Sequence, residues 1–319
     1  MRQLLALLVA FALPAPALAC VEDEALGEAA GALALAGRVD DGALRDALRE
    51  AHTDLPSVRA LEGDEPSLER TLRRLASEGD APLVCGRATG PRGSVALVAF
   101  RGGALAEEDP TRFRVELARG FDDARLLLED AEGELREQPV ATGERVEIPA
   151  ELIRPVRVQL VASGPSGPRP VAERLVTDGT PSAEVPVPSM ASDEDVGSRV
   201  AALRALAGVG ELRDNRLLRE AATAHAERIC ADGAVRHEVD GRDPEVRLRR
   251  RGIVARVVGE VAARARDEDQ AFDALLASPS HRSALVDRRF TDVGVGTARR
   301  GANLCVVVDL AAWPRYAGR

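Results

Sequence analysis

The chain contains no lysine: all 43 of its basic residues, in a length of 319, are arginine. That excludes mechanisms built on a lysine Schiff base or a P-loop lysine, and with them pyridoxal-phosphate enzymes and Walker-type nucleotide hydrolases. Aromatic residues are almost as scarce, at six Phe, one Tyr and one Trp, too few for a base-stacking platform or an aromatic sugar cleft. Positive charge is outnumbered: 52 acidic residues leave a net charge of −9, the reverse of what a phosphate-backbone binder needs. Nucleic acid is therefore not an expected partner. After the N-terminus no apolar run reaches the roughly 18 residues of a membrane-spanning helix, so no transmembrane segment is expected. Only four histidines and four cysteines remain for imidazole or thiol chemistry.

What is present describes a globular chain. Hydrophobic residues make up 45% and charged residues 30%, enough apolar material for a core, and the length suggests two or three domains at roughly 150 residues each. Residues 1–19 combine Arg2, an apolar run from Leu4 to Leu13, two prolines and Ala17-Leu18-Ala19. This is the layout of a secretory signal peptide, and it predicts a secreted, periplasmic or cell-envelope protein. Cleavage after Ala19 makes Cys20 the first residue, which raises a lipid anchor at Cys20 as the alternative. A lipid-attachment site usually has Leu three positions before the Cys, where Ala17 stands here. Four cysteines in an exported chain suggest disulfides and allow three pairings. Cys20, Cys85, Cys230 and Cys305 fall two in each half, so Cys20–Cys85 with Cys230–Cys305 is the simplest arrangement. A lipidated Cys20 would leave Cys85 unmatched.

The texture changes along the chain. Residues 20–80 are rich in Ala, Leu, Glu and Arg without β-branched runs and read as a helical N-terminal segment. From 81 to 179, short runs such as Ser94–Phe100, Arg112–Ala118, Ala124–Glu129, Val156–Ala162 and Val171–Thr177 alternate in polarity between Gly-, Pro- and Asp-rich turns. They predict an antiparallel β-sandwich of immunoglobulin-like type. Residues 180–194, with Pro181, Pro186 and Pro188, read as a stiff linker. From 195 to 319 the pattern is helical, then strand-like. Val196, Val200, Leu203 and Ala207 recur at helical spacing, and Asp214 is the expected N-cap of a helix with Leu218, Ala221, Ala222, His225 and Ile229 on one face. Asp243-Pro244 and Asp267 with Gln270 mark two more helix starts. Val293–Thr297 and Asn303–Leu310 read as strands, giving a mixed α/β domain.

Three segments of this last region carry groups able to do chemistry: His237 after the long helix, Gly259-Glu260, and Ser278-Pro279-Ser280-His281-Arg282. His225, on the apolar helix face, reads as a packing residue. Arg247, Arg249, Arg250 and Arg251 read as a solvated basic face.

The order of long helix, His, Gly-Glu, Ser-Pro-x-His-Arg and Phe290-Thr291-Asp292-Val293-Gly294-Val295-Gly296 resembles the CAP superfamily (cysteine-rich secretory, antigen 5 and pathogenesis-related 1, or SCP-like) in its bacterial form, over about 195–312. The resemblance implies an exported α-β-α sandwich whose cleft holds His237, Glu260 and His281. It departs from the family at Val261, where an Asn usually follows the Glu, and at Leu276 and Ala277, where a second Glu can stand. The implied role is non-catalytic binding of a small apolar or envelope-associated ligand, or a protein partner. The alternatives are a metal-dependent hydrolase, with zinc on His237 and His281 and Glu260 as base or third ligand, and an inert structural envelope protein. If Glu260 ligated, Glu238 would be the next base. His237-Glu238 is not part of an H-E-x-x-H helix, since Gly241 stands where the second His would be.

Overall fold

The computed structural model describes residues 19–178, 195–233 and 235–313. The expected signal peptide up to residue 18 and the expected linker at 180–194 lie outside the described residues. The chain divides into two compact units, one made of residues 1–53 and 57–100, the other of 54–56 and 101–319.

The first unit contains β1 (Val21–Glu22), α1 (Glu24–Ala36), α2 (Asp41–Glu50), β2 (Arg59–Gly63), α3 (Glu65–Glu78), β3 (Leu83–Gly90) and β4 (Gly93–Phe100). Each helix starts on an aspartate, Asp23, Asp40 or Asp64, whose carboxylate accepts first-turn amides. The strands form one sheet in the order β1-β3-β4-β2. Helix α1 lies directly on β3 because two glycines permit it. A Cβ on Gly86 would stand 2.0 Å from the Leu26 carbonyl carbon, and one on Gly90 2.0 Å from the Ala34 oxygen. The Cys20–Cys85 disulfide joins the chain start to β3. Two expectations are corrected here. The segment 20–80 is not helical alone, since it supplies β1 and β2. The boundary expected at 80/81 falls after Phe100, because the β3–β4 hairpin is the centre of this sheet.

The second unit begins with seven strands: β5 (Gly103–Asp109), β6 (Arg112–Leu117), β7 (Asp122–Glu129), β8 (Leu135–Pro139), β9 (Arg145–Glu147), β10 (Val156–Gly164) and β11 (Gly167–Val176). They form two sheets, β11-β10-β7-β8 and β5-β6-β9, with every pairing antiparallel. The two-residue alternation holds: Phe113 and Val115 are buried while Arg112, Arg114 and Glu116 face out.

After residue 194 follow α4 (Val196–Leu206), β12 (Arg213–Asp214), α5 (Arg216–Asp232), α6 (Pro244–Arg250), β13 (Val257–Ala265), α7 (Glu268–Ala277), α8 (Pro279–Leu285), β14 (Asp292–Arg300) and β15 (Asn303–Ala312). The sheet order is β12-β14-β15-β13, and β15 is inside it with both faces covered. Leu304, Val306, Val308 and Leu310 pack with Val200, Phe272, Leu275 and Leu285 from α4, α7 and α8. Cys305 and Val307 point the other way, against Ala222, Ala226 and Ile229 of α5. Helices therefore cover both faces of the sheet. The Cys230–Cys305 disulfide ties α5 to β15, closing a loop whose entropy cost in the unfolded chain corresponds to about 4 kcal/mol. Among the described residues no helix is long and apolar enough to cross a membrane.

The capping expectations hold at Asp243 and Asp267, but Asn215, not Asp214, caps α5. Its side-chain oxygen accepts the Leu217 amide at 3.0 Å, while Asp214 is paired with Val293 in the sheet. The glycines of the Phe290–Gly296 stretch have a steric reason. A Cβ on Gly294 would stand 2.2 Å from the Arg219 nitrogen, and one on Gly296 2.1 Å from the Thr223 nitrogen, so α5 sits on the bare backbone of β14. Gly259 leaves room in the same way for the Phe290 ring, 2.5 Å from where its Cβ would be.

Gly294→Ala must therefore lift α5 off the sheet. It is expected to cost roughly 3 kcal/mol and lower Tm by roughly 6–12 °C. Thermal melts followed by circular dichroism check this against Gly210→Ala, whose added methyl meets nothing within 4 Å and is expected to be nearly neutral.

Candidate functional site

Glu260 lies on β13 directly opposite Asp309 on β15. Its parity turns the side chain toward α5, and its carboxylate is almost wholly closed to solvent, at 1% exposure. A buried carboxylate must find donors, and here the loop after α5 and helix α6 supply them, with α5 alongside. His237 Nδ1–H donates to Oε1 at 2.8 Å. His225 on α5 stands with Nε2 3.5 Å from the same oxygen, and that Nε2–H donates to the Arg236 carbonyl at 2.9 Å. Arg247 on α6 donates to Oε2 from one guanidinium nitrogen and to the His237 carbonyl from the other. Both carboxylate oxygens are thus committed. Because an ionised carboxylate only accepts, Nδ1 of His237 carries a proton, and in the neutral form of the ring Nε2 is the lone-pair side.

The electrostatics follow from this geometry. Burial opposes ionisation of Glu260, but hydrogen bonds and charge from His225 and His237 outweigh it and hold the carboxyl well below its ordinary range. Asp309, nearly as deep, is pushed well above the ordinary value by burial and by the adjoining Glu260 charge. The two acids behave as a pair with one proton, kept on Asp309. His281 is separate from this set of hydrogen bonds. Its Nδ1 is closed to solvent and has no hydrogen-bond partner among the described residues, and burial, with His237 adding to it, pushes the imidazole down to about 3.

Of the residues singled out in the sequence, the fold brings His237 and Glu260 into direct contact and sets His281 close enough to His237 to feel its charge. Sequence reasoning missed three members. His225, read as packing alone, also stands at the buried carboxylate. Arg247, read as part of a solvated face, points inward, while its neighbour Arg249 does form a surface pair with Glu245. Asp309 was not singled out, although a signal existed: it is the one charged residue in the apolar run Leu304–Ala312. Glu238 takes part through its backbone, its N–H donating to the Ser166 carbonyl at 2.9 Å. Val261, where the resemblance would place an amide, faces the opposite core. Among the described residues no group of three or more His, Cys, Asp or Glu is arranged to hold a metal ion. Two surface cavities, of about 520 and 470 Å³, are lined by Glu108, Arg112 and Arg145 in one case and by Val21, Pro82 and Leu83 in the other; neither touches the imidazoles.

The pH dependence of stability has a definite sign. A histidine whose folded pKa lies below its unfolded value near 6.5 contributes stability that is complete above that pH and lost as pH falls toward 3. Asp309, with its folded pKa raised, works the other way and regains stability on acidification; Glu260 loses its contribution only below 4.5. Between pH 6.5 and 4.5 the His281 and Asp309 contributions oppose one another, so His281→Gln is expected to tilt the stability curve toward gain on acidification and Asp309→Asn to tilt it toward loss. Urea midpoints across that range are the measurement.

Residues 198–310 match the Cysteine-rich secretory protein family, CAP. No curated protein matches the sequence significantly. Similar solved structures include an outer surface protein from Borrelia burgdorferi, at 21% identity and TM-score 0.36 over 39% of this chain and 97% of that one. An extracellular SCP-domain protein from Bacillus anthracis aligns at 14% identity and TM-score 0.34, over 79% and 93%. A cysteine-rich secretory protein from Staphylococcus aureus aligns at 10% and 0.30, over 64% and 81%. At such scores the alignments transfer no residue or role to this chain. The matched segment contains the Ser278–Arg282 and Phe290–Gly296 motifs and the Glu260 cluster, and it is this segment of the chain that is a CAP domain.

Proposed function

We propose that this is an exported bacterial CAP-domain protein that binds an extracytoplasmic ligand or partner without turning it over, using the cleft at His237, Glu260 and His281. The observation that carries the reading is the commitment of both Glu260 oxygens to Arg247 and the histidines. A general base needs a lone pair within reach of a water, and a third metal ligand needs one facing the ion. Glu260, engaged on both oxygens and 1% exposed, presents no lone pair to solvent. What it does supply is a fixed imidazole, with a proton held on His237 Nδ1 and, in the neutral ring, Nε2 left as an acceptor.

The metal-hydrolase alternative therefore lacks its carboxylate. Zinc would have two imidazoles only, short of the three protein ligands of a catalytic site, and the residues present do not fit it. Export is supported by the signal-like N-terminus and by two disulfides. In this fold the Cys20 sulfur is bonded to Cys85, and a thioether lipid on the same atom is incompatible with that bond. The seven strands between 103 and 176, in two antiparallel sheets, support an immunoglobulin-like sandwich that presents the CAP domain. A small apolar or envelope-associated molecule remains the ligand class. A purely structural role is the second reading, favoured by the contact of Ser166 with Glu238 at the edge of the cleft.

Zinc titration of the mature protein by calorimetry is expected to show no saturable event near one equivalent. Such an event, lost in both His237→Ala and His281→Ala, would overturn the non-catalytic reading and reopen the hydrolase.

A further inference from the structure

The chain as a whole is acidic, at a net charge of −9, but one turn of the CAP domain runs against that balance. Between Pro244 and Arg256 five arginines stand against a single acid, Glu245. Two of the five are engaged: Arg247 turns inward to Glu260, and Arg249 pairs with Glu245. Arg250, Arg251 and Arg256 are exposed, and their side chains form no hydrogen bond or ion pair among the described residues. The buried carboxyls behind the turn do not cancel them. Glu260 is taken by Arg247, and Asp309, which feels the Arg251 charge, keeps its proton.

The turn is held outward by its ends. Leu248 and Ile253 are buried in an apolar cluster with Leu218 and Ala311, and the Ile253 N–H donates to the Leu248 carbonyl at 3.0 Å. Arg249 to Gly252, between them, are all exposed, and Gly252 at φ +78 makes the reversal. On the far side the Arg256 N–H donates to the Ala312 carbonyl at 2.7 Å, which fixes it against the end of β15. Val254, between these attachments, is 61% exposed. Trp313, the residue after β15 and the one tryptophan of the chain, packs half-buried against the same cluster. Uncompensated guanidinium groups around an exposed valine, with an indole at the edge, are the side chains suited to a bilayer interface. The cations meet anionic headgroups and the apolar groups enter the boundary layer. A projecting turn has no hollow for a protein partner to fill, whereas a plane of headgroups needs no matching shape.

We propose that this turn docks the protein on a membrane surface rich in anionic phospholipid, with Arg250, Arg251 and Arg256 on the headgroups and Val254 against the lipid boundary. The acidic remainder of the chain is repelled by such a surface, so the contact is oriented, with the end of α6 facing the bilayer. The inference goes beyond the reading of the cleft and uses none of its residues, so either can fail without the other.

The test uses the full mature chain with vesicles of phosphatidylcholine containing about 30% phosphatidylglycerol, against vesicles of phosphatidylcholine alone. Co-sedimentation measures binding, and Trp313 emission, excited where tyrosine is silent, reports on this face. Binding to the anionic vesicles is expected at about 0.05 M salt and is expected to be lost at about 0.5 M, where screening shortens to a few Å. Trp313 emission is expected to move to shorter wavelength on binding. Arg250→Gln and Arg256→Gln are each expected to weaken binding about fivefold. Arg119→Gln, the same charge change at an exposed site between β6 and β7, is expected to leave it unchanged. Matching thermal melts keep the comparison among folded proteins. The proposal is overturned if anionic vesicles bring down no more protein than neutral ones, or if Arg119→Gln weakens binding as much as the two turn substitutions. It is equally overturned if soluble polyglutamate shifts Trp313 emission while vesicles do not, since the turn then meets an acidic protein.

Discussion

An ionised carboxylate closed to water is the constraint around which the CAP domain is arranged. Moving such a group from water into a protein interior costs several kcal/mol even after relaxation, unless donors are in place on both oxygens. Glu260 obtains them from α6 and from the loop after α5, with His225 of α5 beside them, while β15 contributes a neighbour that keeps its proton. The loop is held by the same charge, because Arg247 reaches the His237 carbonyl as well as Glu260. The path of the chain from α5 to α6 and the orientation of His237 are thus two results of one electrostatic requirement.

That requirement also decides what chemistry the cleft can support. In a sequence, two histidines and a glutamate suggest a metal-bound water with a base beside it. In the fold the glutamate lies behind His237, where it holds a proton on Nδ1, and Arg247 neutralises it. A carboxylate placed this way holds an imidazole in one direction. His281 complements it as a neutral ring, since burial disfavours its protonated form.

Much of this domain was legible in the residues. The apolar run of β15 and the helical spacing in α4 and α5 reflect burial periodicity, which is local information. The Gly294 and Gly296 positions carried a second message, close approach of a helix, that went unread although their place in a strand pattern made it available. The same message at Gly86 and Gly90 went unused, and the β3–β4 hairpin was grouped with the strands after it when α1 was its true partner. Arg247 and His225 were out of reach for another reason. A seven-residue helix has too few turns to show which arginine points inward, and a histidine on an apolar face looks the same whether it packs or binds. Only the tertiary convergence on Glu260 separates those cases, and it joins residues on four different elements. Asp309 is the intermediate case: a lone acid in a buried strand is anomalous in sequence, but its partner is visible only once the register of β13 and β15 is known.

The Ser-Pro-x-His-Arg motif shows how function and fold become coupled. Pro279 starts a helix of under two turns, so successive side chains leave it in different directions. His281 stands near enough to His237 to feel its charge, while Arg282 pairs with Glu129 of the middle sheet and the Ser280 amide is taken by Gln159. Residues adjacent in the chain therefore serve a cleft and a domain contact at once. The middle sheet is therefore bonded to the residues on both sides of His281. A CAP domain whose motif arginine and serine amide were left to solvent would hold its second imidazole less firmly. In this chain the β-strands that precede the domain bond directly to the motif that carries its second imidazole.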